Sequence, residues 1–198
     1  MVPNAGDIKF VPQRDIEYKQ EITDEDRTIL GKDVPDFTYG VNLSLQYKGF
    51  EFSMFGQGIS GTKVAFDVYG VHPFYHGQDS PRKYHLKRWT EENPNPHAAY
   101  PRIYSASSVH TTYNRNFSDY HLFDSDYFRF KTLSLGYTVP SATVKNWGLQ
   151  SLKVYVTGEN LFTVRADKKM EDFDPETAGG VIYTLGTKSV AFGVNISF

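Results

Sequence analysis

The sequence has 198 residues, a formal net charge of −2 and no cysteine, which excludes the basic patch of a nucleic-acid-binding protein, a disulfide framework and thiolate metal sites. Aromatic residues make up 16% of the chain, yet the mean hydropathy is −0.48, so the chain is rich in strand formers and polar on average. No stretch is long and apolar enough for a transmembrane helix, and the opening MVPNAGDIKF lacks the pattern of a signal peptide. These properties leave two classes open: a soluble protein, or a segment of a larger protein, which could include a membrane β-barrel.

The first predicted element is a hairpin. Residues 1–36 are polar, with little periodicity, and are predicted to be a loop. The segment FTYGVNLSLQY then alternates apolar and polar residues and predicts a strand over 37–47. Lys48 and Gly49 form a two-residue turn in which the glycine supplies a positive φ, and a return strand follows over 50–58.

A long aperiodic stretch over 59–126 separates this hairpin from the remaining strands. A connection of that length is unusual within a compact soluble domain. Beyond it, alternation predicts three more strands, over 127–139, 149–162 and 184–198. A short turn joins the first two of these strands, and a loop over 163–183 joins the last two.

The third strand changes phase within its length. Phe128 and Phe130 occupy the alternate positions to Leu133 and Leu135. We therefore expect either a bulge, in which one extra residue reverses the phase of the strand, or a change of environment near Lys131.

The connections between the five strands are short, very long, short and long, and the strands have the length needed to cross a bilayer at a tilt. Outer-membrane barrels have short turns on one rim and long loops on the other. A soluble β-sandwich also alternates, so alternation alone leaves both folds open. Aromatic residues near strand ends and turns favour the membrane, where aromatic girdles mark the interfaces; they are Tyr39, Tyr47, Phe50, Tyr137 and Trp147.

The segments DSDYFRFKTLSLGYTVP, LKVYVTGENLFT, DFDPE and SVAFGVNISF, in this order and spacing, resemble the C-terminal part of SusC/RagA-type TonB-linked (TonB-dependent) outer-membrane transporters. DFTYGVNLSLQYKGFEFSMFGQGISG and RWTEENPNPHAAYPRIY resemble the preceding strands and loop of that family, so the resemblance runs from about Gly6 to Phe198. It implies an all-β fold: the last five strands of an antiparallel, 22-stranded transmembrane β-barrel in the bacterial outer membrane.

The resemblance also implies a topology. Residues 1–36, 59–126 and 163–183 are expected outside the cell, and the turns at 48–49 and 140–148 in the periplasm. Phe198 corresponds to the terminal aromatic residue that the barrel-assembly machinery recognises. On the last strand, one set of alternate residues is expected to face lipid and the other the lumen; these are Val190, Phe192, Val194, Ile196 and Phe198 for lipid, and Asn195 and Ser197 for the lumen.

The function implied is energised uptake of a nutrient, either an oligosaccharide or a peptide, beneath a surface lipoprotein of the SusD type. Energy would come from TonB, but the family's plug domain and TonB box have no counterpart in these residues, so transport by this chain alone is not expected. Two alternatives remain: a secreted soluble β-sandwich that binds carbohydrate, and a non-functional gene fragment.

Residues 15–26 correspond to a calcium-loop-like stretch of the family, with Asp15, Glu17 and Asp26 at ligand positions. Lys19 and Gln20 stand where an oxygen ligand and a glycine are required, so we expect no calcium site.

Other motifs give no positive support for a metal, a cofactor or an enzyme. His72 and His76 are four residues apart, but Pro73 between them argues against the helix that would align them on a metal. Nearby carboxylates in TEEN and DFDPE could serve acid–base catalysis, although acidic loops are far more common than catalytic pairs.

Recognition is the remaining role for the 59–126 loop. Its aromatic residues and a forked guanidinium suit sugars or peptides, or else they pack the loop against its neighbours. The candidates for contact with a ligand are Trp89, Tyr100, Arg102 and Tyr104.

Overall fold

The computed structural model describes residues 2–13, 22–65, 72–74, 80–168, 171, 173–177 and 186–198. Its strands are β1 (Phe37–Tyr47), β2 (Phe50–Ser60), β3 (Lys63–Ala65), β4 (Leu122–Asp124), β5 (Tyr127–Thr138), β6 (Ser151–Arg165) and β7 (Ser189–Ser197). Two short helices, α1 (Val109–Asn114) and α2 (Ser141–Lys145), accompany 3-10 turns at Asp24–Asp26, Lys83–Lys87, Asp119–His121 and Pro175–Thr177. Within these described ranges no helix has the length and apolar character to cross a membrane.

The main sheet has five strands in the order β1-β2-β5-β6-β7, and every neighbouring pair is antiparallel. This confirms the predicted all-β class and the number of strands in the sheet. Compared with the predicted bounds, β2 continues to Ser60 and β6 runs from Ser151 to Arg165. Because the strands alternate in direction, the connections 48–49 and 139–150 lie at one end of the sheet, the turn end. The two long connections leave from the opposite end, the loop end.

The turn between β1 and β2 has the predicted form. Lys48 and Gly49 have φ values of 46° and 87°, the pair of positive angles that a type I′ hairpin turn requires. A Cβ atom at Gly49 would lie 2.7 Å from the carbonyl oxygen of Thr138 on β5. Glycine is therefore needed here both for its backbone angle and for the close approach of the neighbouring strand.

The bulge predicted near Lys131 is present. Phe55 of β2 pairs with Thr132, while the next residue, Gly56, pairs with Phe130, so Lys131 has no partner in this register. The pairing of β5 with β6 shifts at the same place. The extra residue returns Phe128 and Phe130 to the side of the sheet that carries Leu133 and Leu135.

As a result, one side of the sheet is apolar across all five strands; we call it the apolar face. Directly paired residues of antiparallel strands point to the same side, so the register alone defines its members. They are Phe37, Tyr39, Val41, Leu43, Leu45 and Tyr47 on β1, Phe50, Phe52 and Met54 on β2, Phe128, Phe130, Leu133, Leu135 and Tyr137 on β5, Leu152, Val154, Val156, Phe162 and Val164 on β6, and Val190, Phe192, Val194 and Ile196 on β7.

The apolar face is open to its surroundings. Phe192 is 83% exposed, and even on the interior strands Leu135 is 49% exposed and Val154 is 41% exposed. The buried hydrophobic residues of the described chain are elsewhere; they are Val64, Phe123, Tyr127, Val144 and Phe173. The described part of the chain also supplies no second layer of the kind a sandwich needs, since its second sheet is only the pair β3-β4. A contiguous apolar surface of this size requires an apolar environment.

The opposite side, the polar face, carries a charged cluster at the loop end. Arg129 on β5 donates two hydrogen bonds to Asp174, at 2.6 and 3.3 Å, and one to Glu176 at 2.9 Å. Lys131 donates to the same Glu176 at 2.6 Å. We call Arg129, Asp174 and Glu176 the clamp, because they attach the segment after β6 to the sheet.

The clamp is well buried and has an apolar counterpart. The side chain of Arg129 is 6% exposed and that of Asp174 is 9% exposed. Phe173, the residue before Asp174, packs on Val64 of β3 and Phe123 of β4. Burial on its own would raise the pKa of Asp174, but the hydrogen bonds from Arg129 and from the backbone N–H of Glu176, together with the charge of Arg129, outweigh it and hold that pKa below its usual range.

We expect the chain by itself to associate in detergent-free buffer, because β1 and β7 are open edges and the apolar face is uncovered. In detergent micelles the same chain should elute as a monomer of 22.6 kDa plus bound detergent. Size-exclusion chromatography with light scattering distinguishes these states. A monodisperse, cooperatively melting monomer in plain buffer would contradict the expectation.

We expect Arg129→Met to release the segment 173–177, because the change removes the guanidinium that pairs with the buried carboxylate of Asp174. Breaking a buried ion pair in this way costs about 3 to 5 kcal/mol, so amide exchange in 173–177 should accelerate by at least about a hundredfold. Hydrogen–deuterium exchange with mass spectrometry measures this in micelles.

Lys131→Met is the matched control for Arg129→Met, since Lys131 contacts the same Glu176 but is 25% exposed. The free energy that holds the segment 173–177 on the sheet should fall by less than about 1 kcal/mol in Lys131→Met. Equal amide exchange of 173–177 in Arg129→Met and Lys131→Met would contradict the role of the clamp.

Acid should weaken the clamp as well. Because the pKa of Asp174 is lowered in the folded state, the stabilisation by this carboxylate is present at neutral pH and is lost as the pH falls below about 4, the pKa in the unfolded state.

Candidate functional site

The N-terminal segment and the long connection between β2 and β5 pack together beyond the loop end of the sheet. We call residues 2–13, 72–74 and 80–126 the loop cluster. Within it, the stretches 87–89 and 99–102 run side by side: the backbone N–H of Trp89 donates to the carbonyl oxygen of Tyr100 at 2.8 Å, and that of Ala99 donates to Lys87 at 3.1 Å. This pairing brings three of the four residues considered for ligand contact to one place.

Those three residues are Trp89, Arg102 and Tyr104. The guanidinium carbon of Arg102 lies 5.7 Å from the ring centre of Trp89 and 5.2 Å from that of Tyr104, within the range of cation–π attraction. Glu91 completes the arrangement with an ion pair to Arg102 at 2.8 Å. The guanidinium is therefore held between two aromatic rings and one carboxylate.

Tyr100, the fourth candidate, points the other way. Its hydroxyl lies 3.1 Å from Nδ1 of His72, and its ring meets the edge of His85 at 4.6 Å. Burial raises the pKa of this tyrosine well above its ordinary value. Tyr100 therefore packs the interior of the loop cluster, away from Arg102.

Gly6 supports Trp89 and Arg102 from the N-terminal segment. Its carbonyl oxygen accepts the backbone N–H of Arg102 at 2.8 Å, and its φ is 91°. A Cβ atom here would collide with the Trp89 ring and with Cβ of Arg102. Gly6, which belongs to the loop predicted over 1–36, thus contributes directly to this site.

Asp7 fixes the neighbouring ring of Tyr104. Its carboxylate, whose side chain is 0% exposed, pairs with Nδ1 of His110 at 2.7 Å and accepts from Asn114 at 2.9 Å. His110 in turn stacks on Tyr104, with ring centres 4.9 Å apart. Burial alone would raise the pKa of Asp7, but its hydrogen bonds, from the backbone of Asn4 first, outweigh that effect and lower it.

Three histidines of the loop cluster serve packing. His72, His85 and His121 are 1%, 1% and 3% exposed, and they lie among aromatic rings. Among the residues that the structure describes, no three His, Asp or Glu side chains converge as metal ligands. His76, which lies four residues after His72, is outside the described residues.

The calcium-loop-like stretch is only partly described, since Asp15, Glu17, Lys19 and Gln20 lie outside the described residues. Asp26 is described, and its carboxylate accepts the backbone N–H of Thr23 at 2.9 Å and of Gln13 at 3.0 Å. It thereby forms the capping box of the Asp24–Asp26 turn.

The polar face also has a groove at its turn end, shallow, open and about 310 Å³ in volume. Glu51 accepts a hydrogen bond from Lys153 at 2.6 Å across its floor, and the hydroxyls of Ser134 and Thr157 lie 3.0 Å apart. Its charges are paired and its walls are polar, which suits a water-filled lumen better than an enclosed ligand pocket.

Phe198 follows β7 and is 81% exposed. The residue before it, Ser197, pairs with Ser151 at the turn end, and its carbonyl oxygen accepts the backbone N–H of Gln150 at 2.8 Å. The terminal aromatic side chain thus stands free at the same end of the sheet as the short turns.

No protein-family model matches the chain. Two curated proteins of Formosa agariphila do: TonB-dependent receptor P3, 30% identical over 149 residues, and TonB-dependent receptor P26, 28% identical over 187 residues. These matches cover 75% and 89% of the chain but only 14% and 18% of the two receptors, so the chain spans less than a fifth of their length.

Solved structures of the RagAB peptide importer have a similar fold. In the closed-closed state the match covers 96% of the chain and 21% of the importer chain, with a TM-score of 0.67 and 23% identity. In the open-open state the coverage is 96% and 20%, with a TM-score of 0.62 and 24% identity. The chain belongs to the TonB-dependent receptors, and its five-stranded sheet has the fold of the corresponding part of RagAB.

Proposed function

We propose that this chain forms part of the wall of an outer-membrane nutrient importer. The observation that carries the proposal is the division of the five-stranded sheet into one open apolar face and one polar face with paired charges. Lipid would cover the apolar face, and the polar face would line the lumen.

The loop cluster would then lie outside the cell, and the turns at 48–49 and 139–150 in the periplasm. Both long connections leave the sheet at one end, as this arrangement requires. We assign ligand recognition to the exposed side of Trp89, Arg102 and Tyr104, because extracellular loops usually carry binding residues.

The cargo we propose is an oligosaccharide or a peptide; RagAB, which has the same fold, is a peptide importer. A SusD-type lipoprotein would cover the loop cluster from outside, and TonB would supply energy through parts of a longer receptor. Phe198 would direct the strand to the barrel-assembly machinery.

The topology can be tested with single cysteines, because the 198 residues contain none. Ser107 in the loop cluster and Thr143 in α2 are both exposed. In cells producing the full-length receptor that carries this segment, Ser107→Cys should react with a membrane-impermeant maleimide, and Thr143→Cys should react only after the outer membrane is opened. The unmodified receptor corrects for cysteines elsewhere.

Reaction of Thr143→Cys in intact cells, to the level of Ser107→Cys, would contradict the proposed orientation. The same labelled cells report on uptake of fluorescent oligosaccharides and oligopeptides. A bulky maleimide at position 107 should slow uptake of the cargo, whereas one at position 143 should leave it within about twofold. Unchanged uptake with both labels would count against recognition by the loop cluster.

A further inference from the structure

We infer that Arg102 is an anchor for a carboxylate on the ligand, and that Glu91 occupies this anchor while no ligand is bound. The inference rests on the proposed function and deepens it, because it narrows the cargo to molecules that carry a carboxylate. The carboxylate can belong to an acidic sugar or to the C-terminus of a peptide.

The first support is that the guanidinium is held in a fixed place. Its ring partners are themselves fixed: Trp89 by its hydrogen bond to Tyr100 and by contact with Gly6, and Tyr104 by stacking on His110. His110 is in turn paired with the fully buried Asp7. A donor positioned before the ligand arrives binds it with less loss of conformational entropy.

The second support is that the guanidinium remains accessible. The side chain of Arg102 is 36% exposed, although two rings flank it. Its one ion pair among the described residues is the contact between Nη1 and a single oxygen of Glu91. Arginine offers a planar fork of donors, which favours a carboxylate that binds through two oxygens. A ligand can therefore make a better contact than Glu91 makes.

The third support is that Glu91 is easy to displace. Its side chain is 70% exposed, and ion pairs as exposed as this one contribute little to stability. Hydrogen bonds from its own backbone N–H and from Thr90 lower the pKa of Glu92, and the charges of Arg88 and Arg102 add to this effect, so two arginines and two glutamates lie near one another here. A carboxylate that replaces Glu91 at Arg102 leaves this balance of charges around the guanidinium unchanged.

The flanking rings add selectivity. Trp89 and Tyr104 present aromatic faces beside the guanidinium, and such faces pack against sugar rings and peptide side chains. The site therefore combines one charged contact with apolar contact on either side. It should bind a carboxylate attached to a larger molecule more tightly than a small inorganic anion.

Fluorescence of Trp89 can report the binding. The chain has two tryptophans, so Trp147→Phe leaves Trp89 as the single one. Trp147 lies after α2 at the turn end of the sheet, away from the loop cluster. With the full chain in detergent micelles, we would titrate tri-galacturonate against its methyl ester, and trialanine against its C-terminal amide. Within each pair the two probes differ in the charge of their carboxyl groups, three in the sugar and one in the peptide, and the two pairs distinguish the acidic sugar from the peptide.

We expect the acid form of at least one pair to bind at least about tenfold more tightly than its neutral partner, as hydrogen bonds to charged groups imply. Arg102→Gln should abolish that difference, and Arg102→Lys should retain part of it. Glu91→Gln should strengthen binding of the acid by about two- to fivefold, because it removes the competing carboxylate. Opposite effects at the two members of one ion pair are not expected if the pair only stabilises the loop.

Arg27→Gln is the matched control, since Arg27 and Asp24 form a more exposed ion pair outside the loop cluster. It should change none of these affinities. Equal binding of acid and neutral probes, or weaker acid binding in Glu91→Gln, would overturn the carboxylate anchor while leaving ligand recognition by the loop cluster in place. Absence of binding by all four probes would overturn both.

Discussion

The apolar face of the five-stranded sheet is the constraint on which the rest of the structure depends. Alternation along each strand and the register between strands place 23 aromatic and aliphatic side chains on one side. Water cannot accommodate such a surface, and the small buried core of the described chain is located elsewhere. Because that face requires an apolar environment, the charged side chains of the sheet lie on the other face. The connections between strands leave from the two ends of the sheet.

The polar side shows how the loops are attached to a sheet that has no core of its own. Arg129 holds Asp174 and Glu176, and Phe173, packed on Val64 of β3 and Phe123 of β4, supplies the apolar contact that fixes the same segment. The bulge at Lys131 serves both faces, because it keeps the phenylalanines of β5 on the apolar face while Arg129 stays on the polar one. The extra residue Lys131 thus allows the apolar face and the clamp to be formed by the same strand.

The sheet was largely predictable from the sequence, since alternation, the Lys48–Gly49 turn and the change of phase at Lys131 are local signals. The candidate site was predictable only in part. Trp89, Arg102 and Tyr104 come from one loop, but Gly6 and Asp7 join them across about a hundred residues without any periodic pattern. Arg129 likewise meets Asp174 through a long connection, and nothing near either residue in the sequence indicates the pairing.

The central claim is that the apolar face contacts lipid, and spin-label accessibility along β5 tests it most directly. Single cysteines from Tyr127 to Thr138 would be labelled in micelles and exposed in turn to oxygen, which concentrates in apolar phases, and to a water-soluble nickel chelate. Our account predicts alternating accessibility with one reversal of phase at Lys131, so that positions 128, 130, 133, 135 and 137 favour oxygen. Accessibility without alternation, or with unbroken alternation through position 131, would contradict it.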